Sequence, residues 1–224
     1  MMLNKSHRLT YSNIKTKIKS CKLLKPEYII TRTNIGMKRN GEPVYDMKLN
    51  VDFWKNIKEP IDVVLDEAHT MVNARKSMSK VNIIMTDWLA LIRRVLGSSD
   101  SGYGELVLIS QLANRIDIIA REMATNVRWH ICHYQKTCKK CMYTWGETSD
   151  TAEPQWVCPV CGHYQIKKHS HQIEVFHFQN MFTYQGWKEY GMKSYHRHYI
   201  IEDIENYFNL YNTLSWENMS SEFY

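Results

Sequence analysis

The sequence lacks long hydrophobic runs. No stretch approaches the ~18 consecutive apolar residues that a membrane-spanning helix needs, and the N-terminus is charged without the apolar segment of a signal peptide. We therefore expect a soluble, cytoplasmic protein. Internal repeats and low-complexity segments are also missing, and a hydrophobic content of 44% with 12% aromatic residues excludes intrinsic disorder. Such a composition is typical of one globular domain plus a small module.

Acidic residues are missing from the first part of the chain. Seven Lys or Arg lie between Met1 and Pro26, and the first acid is Glu27. The formal net charge of the whole chain is +6. This balance suits a polyanionic partner such as DNA, although proteins that bind no nucleic acid also reach it. The basic stretch is either a solvated face or an arm that contacts phosphates.

Four of the six cysteines form two C-x2-C pairs, Cys138 with Cys141 and Cys158 with Cys161, and sixteen residues separate the pairs. In a reducing compartment this spacing indicates metal binding rather than disulfides. A full shell of four thiolates leaves no open position for a catalytic water. The sequence therefore predicts a zinc ribbon with one structural Zn²⁺.

Basic residues interleaved with aromatic ones surround the predicted ribbon. They either contact a nucleic-acid backbone or form a solvated rim. The basic residues are Lys139, Lys140, Lys167, Lys168, His169 and His171.

Short β-rich segments alternate with helical ones, which predicts a mainly parallel sheet covered by helices. The segment 61–65 is expected to be a strand buried on both faces. Further strands are expected at 28–31, 44–49, 105–110, 127–132 and 172–178, and helices at 79–96, 113–124 and 200–210.

Polar residues follow two of the predicted strands. Asp66 and Glu67 end the strand 61–65 in the form of a Walker B motif, where one acid can hold Mg²⁺ through water and the next can polarise the attacking water. Gln111 ends the next strand and can sense a γ-phosphate or orient water. Arg115 and Arg121 follow on the next predicted helix. Either could supply positive charge to a phosphate on a neighbouring subunit, although one arginine alone is more often a solvated surface charge.

Together these motifs resemble the zonular-occludens-toxin-like and viral DNA-packaging ATPases, a branch of the P-loop motors that translocate DNA. Asn212 stands where such proteins often have an acid, and Ile119 stands where they tend to have a second arginine before Arg121. The matching residues are Asp66-Glu67-Ala68-His69, the loop 73–80 with Asn82, Arg93-Arg94, Ser110-Gln111, Ile116-Asp117 with Arg121, and Tyr211-Asn212-Thr213.

The resemblance implies a P-loop NTPase-like α/β core, incomplete at its N-terminus, in residues 1–135. The zinc ribbon, 136–170, is then an insertion, and 171–224 supply a C-terminal strand and helix that complete the core. The resemblance also implies a motor that uses ATP and Mg²⁺ to translocate or package the DNA of a virus or mobile element. Such a motor contacts DNA without sequence preference, forms a homo-oligomeric ring, and works in the host cytoplasm or on the virion.

The resemblance assigns roles to four side chains. It implies that Asp66 serves Mg²⁺, that Glu67 activates water, that Gln111 is the sensor and that Arg121 is the trans-acting finger.

The sequence departs from the family in one respect, because no G-x-x-x-x-G-K-[ST] occurs in it. Without that loop there is no nest of backbone N–H groups around the phosphates and no P-loop lysine. Either the chain lacks the first segment of the motor, or it is a paralogue that no longer hydrolyses ATP. The alternative function is a non-catalytic zinc-ribbon protein that binds DNA or acts in assembly. A DEAH-type helicase is disfavoured because the downstream helicase motifs are absent.

Overall fold

The computed structural model describes residues 8–73, 79–97 and 104–216. The chain divides into two compact units, Met1–Met123 with Leu210–Tyr224, and Ala124–Asn209. The predicted zinc segment, 136–170, lies within the second unit. Residues 1–7 of the basic stretch, 74–78 of the loop 73–80 and residues 98–103 lie outside the described residues.

Four parallel strands form the central sheet of the first unit, in the order β3-β1-β6-β7. Leu9 pairs with Ile61, and Val63 pairs with Leu106. Because the strands are parallel, the carboxyl ends of β1, β6 and β7 meet at one edge of the sheet. The strands of this unit, numbered along the whole chain, are β1 (Leu9–Ser12), β2 (Ile14–Thr16), β3 (Cys21–Leu23), β4 (Ile30–Met37), β5 (Pro43–Leu49), β6 (Ile61–Leu65), β7 (Leu106–Leu108) and β12 (Tyr211–Trp216).

One hydrophobic core fills the first unit between the sheet and helix α3 (Lys80–Gly97). The predicted helix 79–96 is confirmed, and its apolar face lies in this core. Strand β6 is confirmed as well, but its burial on both faces is wrong, since Asp62 and Val64 are only half-buried. Asp62 pairs with Arg8 at 3.6 Å. None of the helices in the described part of the chain is long and apolar enough to cross a membrane.

The strands β4 and β5 form an antiparallel hairpin. Its turn contains Gly41 at φ 83°, a conformation that glycine adopts without steric cost. The strand predicted at 28–31 begins only at Ile30, because Pro26 starts the short helix α1 (Pro26–Ile29). Proline is favoured in a first helical turn, where its missing N–H costs nothing. Helix α2 (Val51–Lys55) follows the hairpin.

The helix predicted at 113–124 is interrupted. Ala113–Arg115 form a 3₁₀ turn, and helix α4 spans only Ile118–Glu122. Asp117 lies between them and caps α4, since its carboxylate accepts a hydrogen bond from the backbone N–H of Ile119 at 3.0 Å. Ile116 is extended and bridges to Asn73.

The second unit is built on an antiparallel sheet in the order β11-β10-β8-β9. The strands predicted at 127–132 and 172–178 exist, but they are longer than expected and belong to this sheet. The mixed α/β class is therefore confirmed, whereas the parallel arrangement is confined to the sheet of the first unit. The elements are β8 (Val127–Cys138), β9 (Thr144–Thr148), β10 (Ile166–Phe178), helix α5 (Met181–Tyr190) and β11 (Arg197–Ile201).

Helix α5 covers one face of the antiparallel sheet. The ring centre of Tyr184 on α5 lies 5.5 Å from that of Phe178 on β10. The ring centre of Trp187 lies 5.3 Å from that of Phe176. The predicted helix 200–210 is wrong in its first part, because β11 continues to Ile201. The 3₁₀ helix Ile204–Leu210 follows.

Candidate functional site

Asp66 directly follows β6 at the carboxyl edge of the parallel sheet. Its backbone is held by Asn13, which directly follows the neighbouring strand β1. Asn13 Nδ2 donates to the Asp66 carbonyl oxygen at 2.9 Å, and the Asp66 N–H donates to Asn13 Oδ1 at 2.8 Å. Asn13 is only 2% exposed. The amide therefore fixes the position from which the Asp66 carboxylate projects.

Glu67 lies in the left-handed region, with φ 49° and ψ 40°. This conformation is uncommon for a residue other than glycine and clusters at functional sites. The Glu67 carboxylate has a partner for each oxygen. Gln111 Nε2 donates to Glu67 Oε1 at 3.1 Å, and His69 Nδ1 lies 3.2 Å from Glu67 Oε2.

The network continues from Glu67 to the neighbouring strand. His69 Nδ1 also lies 3.2 Å from the Oγ of Ser110. The backbone N–H of Ala68 donates to the carbonyl of Ile109 at 2.8 Å. The ends of β6 and β7 are therefore joined by both side chains and backbone. A carboxylate held in this way at a sheet edge, with 27% of its side chain exposed, can accept a proton from a water molecule.

A buried asparagine joins three other matching segments of the sequence. Asn82, on α3, is 3% exposed. Its Oδ1 accepts from the backbone N–H of Asn73 at 2.8 Å, and its Nδ2 donates to Asp117 Oδ2 at 3.3 Å. The Asp117 N–H in turn donates to the carbonyl of Val72 at 3.1 Å. These contacts fix the described end of the loop 73–80 against the start of α4.

Of the four predicted catalytic residues, the structure brings Glu67 and Gln111 into contact and places Asp66 beside them. Arg121 lies on α4, and no hydrogen bond or ion pair among the described residues links it to the other three. Its Nε is buried and has no hydrogen-bond partner within the described part of the chain.

The four cysteines of the predicted ribbon come together in the second unit. Their sulfur atoms all lie within 4.8 Å of one another. Cys138 Sγ lies 3.7 Å from Cys161 Sγ, and Cys141 Sγ lies 3.6 Å from Cys158 Sγ. A tetrahedral ion with metal–sulfur bonds of about 2.3 Å requires sulfur–sulfur distances of about 3.8 Å. The group is therefore compatible with one structural metal ion.

Two similar turns present the thiols. The Met142 N–H donates to the carbonyl of Cys138 at 3.0 Å, and the Gly162 N–H donates to the carbonyl of Cys158 at 2.9 Å. Both donors are left-handed, with φ 61° for Met142 and 66° for Gly162. The turns also meet directly, since the Lys139 N–H donates to the carbonyl of Gln165 at 3.0 Å. Each C-x2-C pair thus forms the same knuckle.

Backbone N–H groups favour the thiolate form of two of these cysteines. Hydrogen bonds from the N–H groups of Cys141 and Lys140 lower the pKa of Cys138 to about 6. Burial raises the pKa of Cys158, but the N–H groups of Cys161 and Val160 outweigh it, so that the net shift is downward. The thiolate is the form that binds metal.

The surface beside the knuckles carries exposed aromatic side chains and lysines. Trp156 is 77% exposed and Tyr164 is 75% exposed. Lys168 Nζ lies 3.5 Å from the centre of the Tyr134 ring. Lys136 is buried instead, where it pairs with Glu147 and donates to the carbonyl of Gln155 at 2.8 Å. The four lysines of the predicted rim are exposed, whereas Lys136, which does not belong to that rim, has a structural role.

Sequence reasoning missed Asn13 and gave no role to His69. Asn13 lies far from Asp66 in sequence, so only the pairing of β1 with β6 brings it to the site. A polar residue directly after a short strand is the one local signal that could have indicated it.

Comparison with known proteins gave no match to any family model, curated protein or solved structure.

Proposed function

We propose that this chain is a subunit of an ATP-driven motor that translocates or packages the DNA of a virus or mobile element. In this proposal the first unit supplies the Mg²⁺-holding and water-activating side of a P-loop ATPase site. The observation that carries it is the hydrogen bond from Gln111 to Glu67 at 3.1 Å. These two residues belong to separate motifs, and they meet at the carboxyl ends of adjacent parallel strands. That edge is where ligands bind in open α/β sheets.

The proposed roles follow from these positions. Asp66 would hold Mg²⁺, which in such sites neutralises the charge that develops on the phosphates. Glu67 would accept the proton of the attacking water. Gln111 and His69 hold the two Glu67 oxygens, and Gln111 is also placed to respond to the γ-phosphate. Arg121 is proposed as the finger that acts on a neighbouring subunit of a homo-oligomeric ring.

The sequence contains no phosphate-binding loop. Because G-x-x-x-x-G-K-[ST] does not occur in the sequence, the nest of N–H groups for the phosphates must come from outside these residues. We expect the chain by itself to hydrolyse ATP negligibly, since Asp66 and Glu67 act only around phosphates that are already held.

The metal of the four-cysteine group is proposed to be zinc. Tetrahedral four-thiolate shells are typical of structural zinc, and a closed shell leaves no site for substrate. The ion would join the two knuckles and thereby fix the end of the β8–β9 hairpin.

The second unit is proposed to contact DNA without sequence preference. The two segments that form the knuckles, 138–146 and 154–171, contain Lys139, Lys140, Lys167 and Lys168 and no acid. Lysine contacts phosphates as a point charge, and exposed aromatic rings stack on bases of any identity.

A second candidate function is a non-catalytic zinc-ribbon protein that binds DNA or acts in assembly. The exposure of Trp156 and Tyr164 favours it, because large exposed aromatic side chains beside lysines are typical of interaction surfaces. In this case Asp66 and Glu67 would be a remnant of a nucleotide site.

Glu67→Gln distinguishes the two candidates. The chain is joined to a strand and G-x-x-x-x-G-K-[ST] segment from a packaging ATPase, and DNA-dependent ATP hydrolysis is measured. Gln keeps the shape of Glu67 but accepts no proton, so turnover should fall by roughly 10²-fold or more while nucleotide binding survives. Glu59→Gln, at an exposed position, is the matched control and should keep full activity. Equal hydrolysis by the two variants would favour the non-catalytic candidate.

A further inference from the structure

Three basic residues form a row across the antiparallel sheet of the second unit. His177 on β10 pairs with Arg128 on β8 and with Arg197 on β11. Directly opposed residues project from the same face of a sheet. With strands about 4.8 Å apart, the two arginines flank the histidine at a separation of roughly 10 Å.

The face that carries this row has no acidic residue within the paired block of three strands. Glu174, the acid of this block, projects from the opposite face, where it lies 3.0 Å from His133 and 2.7 Å from His198. On the basic face the register places Arg128, His130 and Cys132 on β8, Ile173, Val175 and His177 on β10, and Arg197, Tyr199 and Ile201 on β11.

The two arginines are exposed, and neither pairs with an acid among the residues that the structure describes. The guanidinium of Arg197 lies 5.4 Å from the centre of the Tyr199 ring. Arg128 and Arg197 carry like charges on one face, and no acid of the paired strands on that face offsets their repulsion. An anion that bridges both guanidinium groups removes this cost.

His177 forms the buried centre of the row, with 5% exposure. Its Nε2 lies 3.2 Å from the hydroxyl of Tyr199. Burial lowers the pKa of His177, and the charges of Arg128 and Arg197 lower it further. His177 is therefore neutral at pH 7, and the charge of the row resides on the two arginines.

We propose that the Arg128–His177–Arg197 row is a phosphate-binding site, in which the two guanidinium groups contact phosphate oxygens. Guanidinium forks match phosphate geometry and remain charged at every physiological pH. The backbone of DNA is the first source of such phosphates, and that assignment rests on the proposed function. The phosphate chemistry itself does not, since it uses neither Glu67 nor the cysteines. A small phosphorylated ligand is the other source.

The test compares R128Q/R197Q with R32Q/R39Q in the full zinc-loaded chain. Arg32 and Arg39 are exposed residues of the β4–β5 hairpin region, so that both double variants lose the same charge. Fluorescence anisotropy with single-stranded and duplex DNA at several salt concentrations gives affinity and salt slope. The row variant should bind at least about tenfold more weakly, with a slope smaller by one to two, and the control should change by less than about threefold.

A second arm titrates inorganic pyrophosphate into the chain without DNA. Pyrophosphate binding that only the row variant loses, with DNA affinity unchanged in all proteins, identifies a small phosphorylated ligand and still supports the site. Equal effects of the two double variants, or no effect of the row variant in either arm, overturn the proposal. A failure of the Glu67 experiment alone would reject the motor and leave this site untouched.

Folding of the variants is checked by zinc content and circular dichroism. If R128Q/R197Q does not fold, R128K/R197K replaces it, because lysine keeps the charge but loses the fork. A DNA or pyrophosphate affinity at least about threefold weaker than that of the wild type, with R32K/R39K unchanged, then supports the proposal. Wild-type affinity for both ligands overturns it.

Discussion

Single side chains determine the four-cysteine group of the second unit, where we propose a zinc ion. Cys158→Ser should lower the zinc content from one ion per chain to nearly none and unfold the knuckles, because metal binding and folding share one free energy in such sites. Cys158 is 1% exposed, so that no solvent ligand easily replaces its sulfur. Elemental analysis and circular dichroism measure the two effects.

Cys21→Ser is the matched control for that experiment, since Cys21 is a half-buried free cysteine outside the cluster. It should leave the zinc content unchanged. Freshly purified wild-type protein without zinc would contradict the proposed metal.

The residue level also shows how far local sequence patterns reach. The four ligands were predictable because the two knuckles are defined by spacing within a few residues. The contact of Gln111 with Glu67 was predictable as well, since both follow strands of a parallel sheet. Asn13 was not, because its two hydrogen bonds to Asp66 depend on the pairing of β1 with β6 across 53 positions.

At the level of elements, the segment that leads into β7 approaches β6 and the end of α3 closely, and this approach depends on Gly104, two residues before β7. A Cβ atom on Gly104 would lie 1.8 Å from the carbonyl oxygen of Ile61 and 2.9 Å from Cδ2 of Leu96. Gly104→Ala should therefore lower the free energy of unfolding by about 3 kcal/mol, since the strand or the helix must move. Urea denaturation of the whole chain, followed by tryptophan fluorescence, measures the change.

Gly146→Ala is the control for this substitution, because a Cβ there meets nothing within 4 Å. Its effect should stay within about 0.5 kcal/mol. A similar small effect of Gly104→Ala would mean that Gly104 does not lie as close to β6 and α3 as the structure shows.

The type of an element could be predicted from hydrophobic periodicity where the whole segment packs one face into the core. Helix α3 was predicted almost to its ends because one continuous apolar face packs into the core. The single helix predicted at 113–124 is wrong because Asp117 caps a new helix within that segment. The sequence does contain this signal, since an Asp directly before Ile118 and Ile119 is a typical N-cap. The antiparallel pairing of β8 with β10 also had a signal. Because the sulfur atoms of the two knuckles lie within 4.8 Å of one another, the end of β8 and the start of β10 lie close together, and Cys138 pairs there with Ile166.

On the scale of the whole molecule, most of the formal charge of +6 lies in the first unit, and the basic residues of the second unit are instead grouped into local patches. The first unit carries the acidic network around Glu67, whereas the second carries the knuckle lysines and the row of Arg128, His177 and Arg197. In the proposed motor the chemistry of hydrolysis and the contacts to a polyanion are therefore assigned to different units. Variants in one should leave the intrinsic property of the other measurable.

This distribution of charge predicts DNA binding that depends on salt and not on sequence. The two arginines and the four knuckle lysines give about six phosphate contacts and a log–log salt slope near −5, so that affinity should fall roughly 10³-fold between 50 and 200 mM salt. Two duplexes of unrelated sequence should bind within about threefold of each other, because phosphate contacts carry no sequence information. Anisotropy titrations of the wild-type chain measure both quantities. An affinity that stays constant over this salt range would mean that the basic surfaces serve a protein partner.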